Sequence, residues 1–256
     1  MTTVTTPMPT GRPRSRFVAI LRYTLQSCLP PKRWAAIVLP CVGAVLFGLL
    51  SRAVHDTADR AFANVAAEGI FSLVMPIAAL VIGDSVLGAE VRAGTFHFTW
   101  LSPAPTWQIV LGRWLGGSAV ALVTIAPACA LAAVVGGSTS SVGPAFVAAA
   151  AGSVSYVALF IAIGCITRRT AVWSLAVVFL VERLLGAALT GIAQLSPTWE
   201  ARAVFVGLLD DPPDRLLRDG IPQAWSAVGR LVIVTLVALL IADWRMRRMQ
   251  LSGASD

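Results

Sequence analysis

Apolar residues in this chain gather into six runs, near 34–50, 68–88, 110–135, 144–166, 171–193 and 226–243. Each is close to the ~20 residues that an α-helix needs to cross a hydrocarbon core of about 30 Å. Short polar segments separate them, so the pattern predicts six transmembrane helices in one all-α integral membrane domain. Pro40, Pro76 and Pro127 fall inside these runs. Neighbouring helices can absorb the kinks they cause.

Two further stretches are apolar on one side only. In 14–28, Phe17, Ile20, Leu21, Thr24, Leu25 and Cys28 recur at helical spacing, with Arg16, Arg22 and Gln26 on the other side. That pattern predicts an amphipathic helix lying on the inner membrane surface, too short and too charged to cross it. Pro30-Pro31 ends it. Between the fifth and sixth runs, Trp199–Leu209 reads as a short outer helix, re-entrant or interfacial, with Trp199, Val206 and Leu209 available to the interface and DDPPDR after it. The domain expectation is a disordered cytoplasmic tail over 1–16, one six-span domain over 17–246, and a cytoplasmic C-terminal tail over 247–256.

Composition agrees with a membrane protein. Hydrophobic residues make up 57% and charged residues 13%, with a mean hydropathy of +0.77, against about 25% charged in a soluble domain. The net charge of +7 would suit nucleic acid in a soluble protein. Here basic loops facing anionic lipid account for it, so the bilayer is the expected partner and nucleic acid is not. With the N-terminus inside, 13 of the 20 basic residues fall in cytoplasmic segments. Arg52, Arg60, Arg202, Arg215, Arg218 and Arg230 fall in outer ones, and Arg183 within a span. Both termini are therefore expected in the cytoplasm. Heavy Ala, Gly and Arg usage suggests a GC-rich genome, and a bacterial plasma membrane is the expected location. Cys28, Cys41, Cys129 and Cys165 form no CxxC pair and read as small apolar side chains.

The most informative segment is 83–113, GDSVLGAEVRAGTFHFTWLSPAPTWQIVLGR. It is polar, charged and glycine-punctuated between two greasy runs. Asp84 and Glu90 stand where the second span leaves the bilayer. Gly94-Thr95 breaks that helix, Phe96, Phe98 and Trp100 form an aromatic stretch, Ser102-Pro103 turns the chain back, and Gly112-Arg113 opens the third span. Glu90 can accept charge-assisted hydrogen bonds from Arg92 or from a basic partner, and the aromatics are of the type that dominates interface energies.

In this order the residues resemble the cytoplasmic coupling segment of type-two ATP-binding-cassette (ABC) permeases. The resemblance extends more weakly over the rest of the chain. It implies a short helix over 96–101 that docks in a groove on a separate ATP-binding subunit. Glu90, Arg92, Gly94, Thr95, Phe96, Phe98, Trp100, Ser102 and Pro103 would carry that coupling. It also implies a pore between two permease copies, identical or homologous, joined through the first and fifth spans. The substrate would be an amphiphilic drug, peptide or lipid-like molecule moved outward. The family often has an arginine shortly after the Ser-Pro pair. Here Thr106-Trp107 stands there, so that ionic contact is not carried over.

Glu182 and Arg183 lie near the centre of the fifth run, where an ionised side chain costs about 2.5–3.5 kcal/mol on insertion scales. They either hold the bundle together or mark a polar point on a substrate path. A glutamate at this depth recurs in the resembling family. Small residues at Gly43 and Gly48, at Ala148 and Gly152, and at Ala187 and Gly191 permit close helix approach. Gly43, Ala187 and Gly191 are the candidate dimer seam.

Absent motifs narrow the chemistry. A phosphate-binding loop needs G-x-x-x-x-G-K-[ST], and the single lysine, Lys32, sits between Pro31 and Arg33. ATP and its magnesium would therefore belong to the partner subunit. No catalytic residue, metal site or bound cofactor is expected in this chain, and it is not expected to be an enzyme. Two other functions compete with the ATP-driven one: a secondary transporter using Glu182 as its proton or cation site, and a non-transporting scaffold.

Overall fold

The computed structural model describes residues 16–28, 31–54, 56–94, 104–167, 169–180, 196–217 and 224–248, with the backbone alone at 16, 31–34, 92, 93, 215 and 217. All regular structure among the described residues is helical. In chain order the helices are α1 (Arg16–Cys28), α2 (Pro31–Ser51), α3 (58–93), α4 (Thr106–Gly136), α5 (Val142–Ile166), α6 (Thr170–Leu180), α7 (Pro197–Gly207), α8 (Asp214–Leu217) and α9 (Ala224–Arg248). Four of them, α3, α4, α5 and α9, are long and apolar enough to cross a membrane. The apolar parts of α2 and α6 are shorter, at Ala35–Ser51 and Thr170–Leu180. The chain is thus a membrane-embedded, multi-pass type of all-α protein.

At ~1.5 Å per residue the 31 residues of α4 run for about 46 Å, well beyond the ~30 Å of hydrocarbon. Their ends therefore reach water on both sides. α4 and α5 form the centre. α4 packs against α1, α2, α3, α5 and α9, and α5 against α3, α4, α6, α7 and α9. Burial follows this arrangement: 67% of the apolar window of α5 is inside the protein, against 28% for α9.

The interior is rich in alanine. Ala66, Ala78, Ala121, Ala132, Ala148 and Ala158 are among its fully buried residues. Lipid does not drive helices together as water does, so close approach through small residues supplies the packing. Larger apolar side chains such as Leu39, Leu46, Val123, Ile233 and Leu240 point outward, as a lipid-facing surface requires.

α3 is longer than its apolar run suggests. It begins at Ala58, ten residues before the run, because Asp59, Arg60 and Glu68 find partners near that end. Asp59 accepts from Ser138 Oγ at 2.6 Å and Ser140 Oγ at 2.8 Å. Arg60 pairs with Asp211 at 3.0 Å and Glu68 with Arg202 at 3.3 Å. Two stretches of α3, Ala66–Val74 and Asp84–Gly88, are wound as π-helix, a form found mostly as single turns and frequently at functional sites.

α7 packs more deeply than an interfacial helix would. Ser196 caps its start by accepting from the Trp199 amide. Val206, expected at the interface, is buried, and Phe205 packs on Phe62 and Phe71. The Thr198 and Tyr156 hydroxyls lie 2.6 Å apart, and Tyr156 is past the midpoint of α5. α7 therefore runs along the bundle interior, between α5 and α9, instead of along a surface.

Candidate functional site

Three elements meet where the 95–105 segment joins the bundle, and each is brought there by its own local sequence. α3 ends at Gly94, whose φ of 67° is left-handed. A side chain there would be strained although nothing lies near it. One turn earlier, Glu90 is only 8% exposed. α4 starts after Pro105, and two turns in it carries Arg113, only 1% exposed.

The two side chains meet as a fork on a fork. Arg113 Nη1 donates to Glu90 Oε1 at 3.1 Å and Nη2 to Oε2 at 2.6 Å. Arg113 Nη1 also donates to the Val86 carbonyl, which the wide turn Asp84–Gly88 presents to it. Bidentate pairing of this kind is among the strongest charge-assisted contacts. It ties α3 to α4 across 23 residues of chain.

α1 completes the site. A Cβ at Gly112 would lie 2.9 Å from Ile20 Cγ2, and one at Gly116 2.8 Å from Thr24 Cγ2. The two glycines let α1 lie directly on α4, on either side of Arg113. The face expected for α1 is the one that docks: Thr24 and Cys28 are fully buried there. Tyr23, on the edge of that face, hydrogen-bonds Glu90 through its hydroxyl. Burial, and then the Glu90 charge and hydrogen bond, push the Tyr23 phenol up from its usual value, while Arg113 pulls it down.

The start of α4 is held on its other side as well. Thr106 Oγ1 donates to Asp243 Oδ1 at 2.7 Å, and Asp243 also pairs with Arg247 at 2.6 Å, both near the end of α9. Both roots of the 95–105 segment are thus fixed. One is the Glu90–Arg113 pair with Gly94, and the other is Thr106 on Asp243. With both carboxylate oxygens bonded, Glu90 holds two helices together. No group of three His, Cys, Asp or Glu residues able to hold a metal occurs among the described residues.

The expected partner of Glu90 is therefore supplied by Arg113 of α4. Arg92 lies on α3, and its side chain is not described. Thr95, Phe96, Phe98, Trp100, Ser102 and Pro103 lie outside the described residues, as do Glu182, Arg183, Ala187 and Gly191. Gly43 is half-buried, and a Cβ there would meet only Val74 Cγ2, at 3.8 Å. The close approach on α2 is made one turn later, where Gly48 packs on the Ala132 backbone.

A second ion pair was missed in the sequence. Glu200 on α7 is fully buried, and its Oε1 accepts from Arg230 Nη1 of α9 at 3.3 Å. Its Oε2 has no partner among the described residues. Arg230, read as an outer residue, stands six positions inside α9. The signal was available, since Arg230 falls inside the apolar run that begins at 226.

Comparison with family models and with curated proteins returns no match for this chain.

Proposed function

We propose that the chain is the membrane subunit of an ATP-driven exporter. It would cross the membrane six times with both termini in the cytoplasm, pair with a second copy or a homologue, and be driven by a separate P-loop ATPase. The observation that carries this reading is the clamp at the roots of the 95–105 segment. A loop that only linked two spans would need no anchors. Here one root is a sealed bidentate ion pair and the other a hydrogen bond to the last helix. A push on such a segment moves α3 and α4 together, with α1 following through Tyr23, so the work of a partner reaches the bundle instead of being absorbed by the loop. In this reading Glu90 transmits force from inside, while Phe96, Phe98 and Trp100 make the contact with the partner. α7 would be a re-entrant arm on the outer side. The outward direction and the amphiphilic cargo come from the resemblance of the 83–113 segment.

Affinity purification of the tagged chain from native membranes in mild detergent tests this. A stoichiometric P-loop ATPase should accompany it, be lost in Phe98→Ala, and be retained in Arg113→Lys with transport impaired. A homo-oligomer with no ATPase, in the presence of nucleotide, would overturn the reading.

One observation favours a second reading, ion-coupled transport. The buried Glu200 has an oxygen to spare, a setting that suits a proton or cation site as much as the Glu182 position does. Transport into ATP-depleted vesicles under a pH gradient alone, abolished by Glu200→Gln, would establish it.

A further inference from the structure

α2 and the outer half of α3 leave a cleft of about 400 Å³ between them, at the small end of the range for ligand sites. Its floor and sides are apolar: Phe47, Leu50, Val65 and Leu73. Its head is polar, formed by Asn64 and Glu68. The cleft lies at the end of α2 next to the 52–57 turn, since Leu50 is the last residue but one of that helix. It also coincides with the π-wound stretch Ala66–Val74, a rare geometry associated with function.

Both head residues offer an acceptor oxygen, and the Asn64 amide carries N–H donors besides. Asn64 Oδ1 is buried and has no donor among the described residues, a state that costs about 1–3 kcal/mol when it persists. Glu68 gives Oε1 to Arg202, yet its side chain stays 54% exposed, so the carboxylate remains open to a further donor. An acceptor-rich head above an apolar trough at the edge of the bilayer calls for one chemistry: a cationic head rich in N–H groups on a hydrocarbon tail. A primary ammonium has three donors, whereas a quaternary one has none.

We propose that this cleft binds the primary-ammonium headgroup of a bilayer amphiphile from the outer leaflet. The N–H groups bond Asn64 Oδ1 and Glu68, and the first part of one chain lies along Phe47, Leu50 and Leu73. The volume takes a headgroup and the start of a chain, and the remainder stays in the bilayer. The inference rests on the chain being membrane-embedded with its termini inside. It does not require the ATP-driven reading.

The test uses the full chain in phosphatidylcholine nanodiscs with a phosphatidylethanolamine that carries a diazirine on one acyl chain. After irradiation, label should concentrate on peptides covering 47–50 and 64–73. Unlabelled phosphatidylethanolamine should compete at least tenfold better than phosphatidylcholine, which shares the phosphate and tails but has no N–H. Glu68→Gln should lower labelling severalfold. That variant also breaks the pair with Arg202, so Leu73→Trp is the control: it fills the trough, leaves the pair intact, and should abolish labelling at the cleft. Equal competition by the two lipids would overturn the proposal. So would label spread evenly over the exposed faces of α2 and α9, or labelling unchanged in Leu73→Trp. A chain that co-purifies with no ATPase but still labels selectively would sink the exporter reading and keep this one.

Discussion

Two ion pairs among the described residues, each with a buried carboxylate, use the same residue types and are built to different standards. At the roots of the 95–105 segment, Arg113 and Glu90 share two hydrogen bonds, and Val86 and Tyr23 supply further partners. Among α5, α7 and α9, Glu200 has one contact at 3.3 Å and a buried oxygen with none. Removing two charges from water costs several kcal/mol per ion, and only good geometry with further hydrogen bonds recovers it. The Glu90–Arg113 pair meets that condition and serves as a clamp. The Glu200–Arg230 pair does not, and its Arg230 side chain, 39% exposed, can extend its head toward water. A well-satisfied pair fixes geometry, whereas a poorly satisfied one leaves room for a change of charge state or partner.

Breaking the clamp should have the largest effect. Arg113→Met strands the Glu90 carboxylate in a closed site and should cost about 3–5 kcal/mol, visible as a large drop in melting temperature of the purified protein. Arg113→Lys keeps the charge but not the fork and should fall between. Glu90→Leu with Arg113→Met should recover much of the loss, because no lone charge remains. If Arg113→Met melts like wild type, the pair is not a clamp.

The hydrogen bond between Thr106 and Asp243 belongs to the same end and should matter less. Thr106→Val removes one donor to a carboxylate that keeps Arg247, so a loss of about 1 kcal/mol is expected. It should also loosen the start of α4 from α9, read as faster amide exchange over 106–110. Unchanged exchange there would separate this contact from the clamp.

Glu200→Gln sharpens the contrast. It keeps the shape and removes the ill-paired charge, and polar contacts inside membrane bundles average only ~0.6 kcal/mol. The melting temperature should shift by a small fraction of the Arg113→Met loss, or rise. A drop as large as that of Glu90→Gln would show that the two pairs are equivalent after all.

What the sequence could reveal depended on distance along the chain. The buried face of α1, the break at Gly94 and the extents of α4 and α5 follow from local spacing and turn chemistry, and the structure has them. The first ten residues of α3 read as loop because Asp59 and Arg60 look solvent-bound, and Glu68 stands only at the edge of the apolar run. Their partners, Ser138, Asp211 and Arg202, are more than 70 residues away and cannot be seen from periodicity. Glu90 drew attention through its position, but its partner lies 23 residues on, while Arg92 was nearer to hand. Arg230 was counted with the outer loop although it falls inside an apolar run, and its partner Glu200 lies 30 residues away. Each miss concerns a charge neutralised by tertiary contact, the one quantity a hydropathy pattern does not contain.

The smallest effect, and the most specific, concerns Tyr23. Its phenol is raised by burial and by Glu90, so the folded protein holds that proton more tightly than the unfolded chain does. The sign follows: this contribution to stability is fully present below the unfolded value near pH 10 and is lost as pH rises through the folded value. Tyr23 is 49% exposed, and solvent screening keeps the term small. Tyr23→Phe should therefore cost a few tenths of a kcal/mol at pH 7 and should flatten the alkaline fall in melting temperature above pH 10. The variant and the wild type, melted side by side from pH 7 to 11, should converge at the top of that range. Parallel curves across it would detach α1 from the clamp and leave Glu90–Arg113 as a contact between α3 and α4 alone.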